Sequence, residues 1–146
     1  MLNLGFTGTS RGLSLKQAYT LNDLLQQLPN FTIHHGDCVG ADAHFDSLAR
    51  TCLGFEAAVI YPANLDGKRA FCTVGPRDFV KAPMGPLQRN EKIVQASDWL
   101  LACPKEDQTV LRSGTWTTVR YALKAKKEVK IILPDGQLVP WTVQNS

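Results

Sequence analysis

Apolar residues alternate through NLGFTG near the start of the chain and a glycine closes the run, so this stretch reads as a β-strand ending near Thr7. Leu21, Leu24, Leu25 and Leu28 then recur at helical spacing between a capping residue, Ser14, and a breaker, Pro29. That spacing predicts an amphipathic helix of roughly 14 residues. FTIHHG gives a second strand, on which His34 and His35 must point to opposite faces and cannot act together. Beyond Gly40 the 3.6-residue period returns at Ala41, Phe45, Leu48, Ala49 and Cys52, with Gly54 placed to end the helix. AAVIYPA is a third strand, stopped by Pro62. Residues 64–88 carry no sustained periodicity, and prolines and glycines punctuate their second half, GPRDFVKAPMGP. A structureless loop longer than about 12–15 residues in a compact domain is usually functional, which makes it a candidate lid.

NEKIVQAS predicts a short helix, WLLAC a buried strand, SGTWTTV through RYALKAKK another helix, and VKIILP the last strand. Strands and helices alternate along the chain, so the expected class is α/β: three layers, with a mainly parallel sheet and helices on both faces. In such sheets ligands sit outside the carboxyl ends of the strands.

Composition narrows the function without naming it. The 146 residues are 44% hydrophobic and 20% charged, a globular balance that argues against disorder and suits one domain, residues 1–146. A net charge of +3 permits contact with phosphates but falls short of a nucleic-acid-binding signature. The densest basic cluster, Lys124, Lys126, Lys127 and Lys130, fits the cation preference of a helix C-terminus. Cys38, Cys52, Cys72 and Cys103 form no C-x-x-C pair and have no histidine at zinc-ligand spacing, so reduced thiols and no metal are expected. The start MLNLGFTGTS has no basic stretch leading into a long apolar one, and no 18-residue apolar run occurs. The expected location is cytoplasmic, with no membrane contact.

Three turns between strands and helices share one chemical character: TGTSRG (7–12), GDCVGAD (36–42) and RSGT (112–115). Glycine lets a ligand approach the backbone, Ser10, Ser113 and Thr115 can cap a helix or bond a ligand oxygen, and Arg11 and Arg112 bring charge. Together they point to a phosphate-bearing ligand. A fourth element, GPLQRN (85–90), adds Arg89, able to clamp a phosphate bidentately, and Asn90, able to read a base or a ribose hydroxyl; for Arg89, simple surface solvation is the alternative. Neither G-x-G-x-x-G nor G-x-x-x-x-G-K-[ST] occurs, which excludes a standard NAD-binding half and a P-loop NTPase.

Taken in order, TGTSRG, HGDCVGAD, YPAN, GPLQRN and SGTWTTVRYA resemble the SLOG superfamily, a Rossmann-like group, over roughly residues 3–134. The set is most similar to the YpsA-like branch, and its last three motifs are also similar to the Smf/DprA branch, whose fold binds single-stranded DNA. The resemblance implies a nucleotide-related ligand held by Gly8, Ser10, Arg11, Gly36, Asp42, Arg89, Asn90, Ser113, Gly114 and Thr115, and it implies a homodimer. Thr9, Asp37 and Gly40 of the same turns complete the candidate set. No cofactor is implied.

The chain departs from the superfamily's LOG-type phosphoribohydrolases. Aligning their PGG-x-GT-x-x-E pattern on Gly114 and Thr115 puts Thr118 where the glutamate stands, and Arg112 and Ser113 replace the paired glycines. Threonine is no general base, so the catalytic residues are unknown. Of the other carboxylates, Asp42 is expected to cap a helix with its pKa lowered by the helix dipole, and Asp46 and Glu91 to be exposed. His44 is expected to be exposed as well. The leading expectation is a protein that binds a nucleotide or nucleotide-derived ligand as a sensor or sequestering protein. Alternatives are a nucleoside monophosphate N-glycosidase relying on Asp42 or Glu91, and a single-stranded DNA module using Arg77, Phe79, Lys81 and Arg89. Trp99 is expected in the core and Trp116 in the core or under a base, while Trp141 should pack the domain edge or a dimer contact.

Overall fold

The computed structural model describes residues 1–65 and 67–146; Asp66, inside the predicted loop, lies outside the described residues. The elements run β1 (Leu2–Gly8), α1 (Leu15–Gln27), β2 (Phe31–His35), α2 (Ala41–Arg50), β3 (Phe55–Ile60), β4 (Phe79–Val80), α3 (Pro86–Ala96), β5 (Trp99–Cys103), α4 (Gly114–Lys124), β6 (Glu128–Ile132) and β7 (Leu138–Trp141). A 3-10 turn, Val143–Asn145, follows β7. The strands form one sheet in the order β4-β3-β2-β1-β5-β6-β7, parallel except for β7. Helices α1 and α2 pack on one face and α3 and α4 on the other, giving a three-layer Rossmann-like α/β arrangement.

The all-buried strand β5 shows why the layers form. Trp99, Leu101 and Cys103 belong to the core under α1 and α2, and Leu100 and Ala102 to the core under α4, so an unbroken apolar run serves both faces. Helix α1 starts where its local chemistry dictates: Ser14 Oγ accepts from Gln17 N–H at 3.0 Å, and Gln17 Oε1 accepts from Ser14 N–H at 3.0 Å. Gln17 Nε2 then donates to the carbonyls of Pro104 and Ile132, tying α1 to the ends of β5 and β6.

Several elements differ from the sequence reading. Helix α2 ends at Arg50 because Thr51 Oγ1 bonds the Leu48 carbonyl at 2.8 Å; Gly54 instead accepts from Phe31 N–H at the entry to β2. Strand β7 was not predicted. It pairs with β6 at the sheet edge, where Pro140 opposite Lys130 has no N–H to waste. The long loop ends at Gly85, since Pro86 already occupies the first helical position of α3.

That loop is fastened down. Asp78 accepts from Ala58 N–H, Gly75 N–H and Arg50 Nη1, and Asp37 accepts from Arg69 Nε and Cys72 N–H. Its middle adds β4 to the edge of β3. Among the described residues no helix is long and apolar enough to cross a membrane.

Candidate functional site

The chain leaves β1 toward β2 on one side, and β5 lies on the other. Because the flanking helices lie on opposite faces, the connections after β1 and β5 diverge and leave a crevice at the carboxyl ends. A cleft of about 400 Å³ occupies that position. Its walls are Phe6 to Ser10 from β1 and its turn; Gly36, Cys38 and Asp42; Arg89, Asn90 and Ile93 of α3; Lys105, Glu106 and Val110; and Arg112 to Thr115 at the start of α4.

Of the candidate residues, Gly8, Thr9, Ser10, Gly36, Asp42, Arg89, Asn90, Ser113, Gly114 and Thr115 line this cleft, and Arg11, Asp37 and Gly40 do not. Arg11 is exposed, turned out by a loop in which Thr9 Oγ1 accepts its N–H. Asp37 is buried at φ 57 and spends its carboxylate on the long loop. Gly40, at φ 93, sits against the Ser10 carbonyl, where a Cβ has no room. No described residue of the long loop lines the cleft.

Helix α4 points its amino end into the cleft. Ser113 Oγ accepts from Trp116 N–H at 3.2 Å, whereas the N–H groups of Gly114 and Thr115, first in the helix, have no helical acceptor. The positive end of the helix dipole and Arg112 reinforce these donors. Thr118 is buried and donates to the Gly114 carbonyl at 2.8 Å, as its position under the helix requires.

Arg89 is not a solvated surface residue. It is buried, and Nη1 donates to the carbonyls of Gly36 at 2.8 Å and Tyr61 at 3.1 Å, joining the ends of β2 and β3. A Cβ at 36 would strike the guanidinium and push it off these bonds.

The carboxylates also differ from expectation. Asp42 Oδ2 accepts from Gly36 and Cys38 N–H, both at 3.2 Å, yet burial pushes its carboxyl up, against the opposing pull of those donors and of the Arg89 guanidinium. The dipole effect assumed from sequence loses to desolvation. Burial, with Asp42 beside it, likewise pushes the Cys38 thiol up, opposed by Arg89. Asp46 is buried, not exposed: Oδ2 accepts from His35 Nε2 at 2.8 Å and Oδ1 from Arg50 Nε at 2.7 Å. Glu91 and His44 are exposed.

His35, Asp46 and Cys72 bring potential metal-ligand atoms within 4.8 Å of one another. The imidazole is already committed, however. Asp37 N–H donates to His35 Nδ1 at 3.0 Å, so the ring proton sits on Nε2 and faces Asp46. That nitrogen has no lone pair for a metal.

The sequence reading left Cys38, Lys105, Glu106 and Val110 out of the site, while Arg112, counted among the charges of the third turn, lines the cleft. The polar stretch PKEDQTVLRSG after the buried WLLAC was the available signal, once β5 is known to flank the switch point. Trp116 is fully buried and donates Nε1–H to Glu106 at 3.0 Å, so it packs the core and offers no stacking face; Trp141 packs against it. Comparison with family models, curated proteins and solved structures gives no match to this chain.

Proposed function

We propose that this cleft binds a nucleotide or nucleotide-derived ligand, and that the protein is a SLOG-like sensor or sequestering protein. The observation that carries the reading is the open amino end of α4, with Gly114 and Thr115 N–H unbonded within the helix, on a switch-point cleft that also holds Arg112 and Lys105. Binding without cleavage is favoured because Thr118, at the place of the LOG-type glutamate, is buried and bonded to backbone. Thermal unfolding against a panel of nucleotides and ADP-ribose derivatives tests it: a ligand at 100 times its Kd adds about 2.7 kcal/mol. Release of free base from a bound nucleotide would replace the sensor reading with the N-glycosidase one.

Gly114→Asp separates site from fold. No atom lies within 4 Å of a Cβ at that position, and an acidic residue in the first turn suits the helix dipole. The variant is expected to melt at or above the wild-type temperature while affinity for a phosphorylated ligand falls tenfold or more. An undiminished thermal shift would remove the phosphate from this end of α4.

One observation favours a second reading. Phe71 and Phe79 on the long loop are 71% and 58% exposed, with the Arg69 guanidinium 4.4 Å from the first ring and Lys81 Nζ 5.3 Å from the second. Exposed rings paired with cations form the kind of platform on which single-stranded DNA stacks. Oligonucleotide binding that falls steeply with salt and is lost in Phe71→Ala/Phe79→Ala supports it; an oligonucleotide that leaves the melting temperature unmoved rules it out.

A further inference from the structure

Lys105, Glu106, Val110 and Arg112 of the cleft wall all belong to the segment that joins β5 to α4. Residues 105–112 make no backbone–backbone hydrogen bond to a strand, a helix or another loop among the described residues. Side chains of α4 fasten them instead. Trp116 Nε1 donates to Glu106 Oε1 at 3.0 Å, and Val110 packs against the core beneath the helix. One turn beyond Trp116, the Arg120 guanidinium spans three consecutive residues of the segment. Its Nη1 donates to Thr109 Oγ1 at 2.8 Å and to the Val110 carbonyl at 3.2 Å, and its Nη2 donates to the Leu111 carbonyl at 3.1 Å. The same Nη2 lies 3.3 Å from Thr117 Oγ1, which ties the fork to its own helix.

Arg120 is not itself part of the cleft wall. The next residue after those it holds, Arg112, is part of that wall, exposed and in no ion pair among the described residues. A long cationic side chain on a segment without backbone partners has to be ordered when a ligand binds, at the expense of affinity; a clamp that orders the segment beforehand removes that cost. A guanidinium suits the task because its planar fork meets several acceptors at once, whereas an ammonium is a point charge on a flexible stem. We propose that Arg120 is a positioning residue for the cleft: it clamps residues 109–111 so that Arg112 is held in place for an anionic ligand. This rests on the nucleotide reading above and assigns the preorganisation of that site to a residue outside the cleft.

The test is a double-mutant cycle, Arg120→Lys against Arg112→Ala, read by affinity for adenosine 5′-monophosphate and for ADP-ribose, together with tryptic cleavage of the unliganded wild type and Arg120→Lys. Lysine keeps the charge and the helix propensity at a half-buried position and loses the fork, so the variant should fold. Cleavage after Lys105 and Arg112 is expected to quicken about tenfold in Arg120→Lys, because proteolysis reads local opening of the segment. Affinity for the probe that the wild type binds more tightly should fall up to about tenfold, the cost of immobilising one long side chain. With alanine at 112 there is no guanidinium left to position, and Arg120→Lys should then cost about twofold or less. An equal loss of affinity in both backgrounds would make Arg120 a structural residue only, and cleavage at the wild-type rate would show that it clamps nothing; either result overturns the positioning role and leaves the nucleotide reading standing. If the wild type binds neither probe, that reading falls and the role falls with it.

Discussion

Arg89→Ala is expected to lower the stability of the folded chain by about 3–5 kcal/mol, seen as a lower denaturation midpoint at unchanged slope in urea. The residue looks from sequence like a phosphate clamp, and loss of a clamp weakens a ligand without touching the fold. In the structure its Nη1 holds the carbonyls of Gly36 and Tyr61, at the ends of β2 and β3. Alanine takes the guanidinium from both buried acceptors, leaving Gly36 only the weak Cys38 Sγ–H at 3.9 Å, at about 1–3 kcal/mol each, and opens a void where the guanidinium lay. Against a total of about 5–15 kcal/mol for a domain, this threatens the folded state itself. Gly36→Ala attacks the same joint from the other side, because its Cβ collides with the guanidinium. An Arg89→Ala protein with a wild-type midpoint would return the residue to the role of a ligand clamp.

Arg89 also shows where sequence reading ends. The elements whose signals are local were legible: Ser14 marked the start of α1, and WLLAC declared a buried strand. The glycine and hydroxyl turns were legible as a set, and the sheet brings most of them to one cleft because they follow β1, β2 and β5. What a charged side chain does once the chain has folded was not legible. Arg89 and Asp46 were assigned to solvent, or in the case of Arg89 to a ligand, and both are buried by partners distant in space: Tyr61 and Gly36 for the first, His35 for the second. Burial also decided Asp42, where the nearby helix start predicted a stronger acid and desolvation makes a weaker one. Strand β7 escaped notice because its proline is tolerated only at a sheet edge, and edge position is a property of the assembled sheet.

Acidification from pH 7 to pH 4 is expected to remove up to about 3 kcal/mol of stability, chiefly through His34. The neutral ring is fully partnered, with Nδ1 on the Tyr61 hydroxyl at 2.9 Å and Nε2 on Asn3 Oδ1 at 3.0 Å. Burial lowers its pKa from 6.5 to about 4, with His35 and Lys81 adding to the effect and Asp98 opposing it. Between those two values the unfolded chain binds a proton that the folded chain refuses, so stability present above pH 6.5 is lost as the pH falls toward 4. Asp42 works in the opposite sense. Its carboxyl is raised in the folded state, which therefore takes up a proton before the unfolded chain does and gains stability on acidification. Asp46 and Asp78 are lowered against the cost of burial by His35 and Arg50 and by backbone donors, so their contribution is lost only when the pH drops below the ordinary carboxylate value of 3.8. The decisive comparison is the melting temperature of wild type, His34→Gln and Asp42→Asn across this range. Glutamine at 34 should flatten the fall between pH 6.5 and 4, and asparagine at 42 should remove the gain that Asp42 supplies on acidification. A wild-type curve as flat as that of His34→Gln would mean that the ring takes its proton without leaving the Tyr61–Asn3 pocket, and the charge would then have to be carried by Asp98, the one neighbour that favours it.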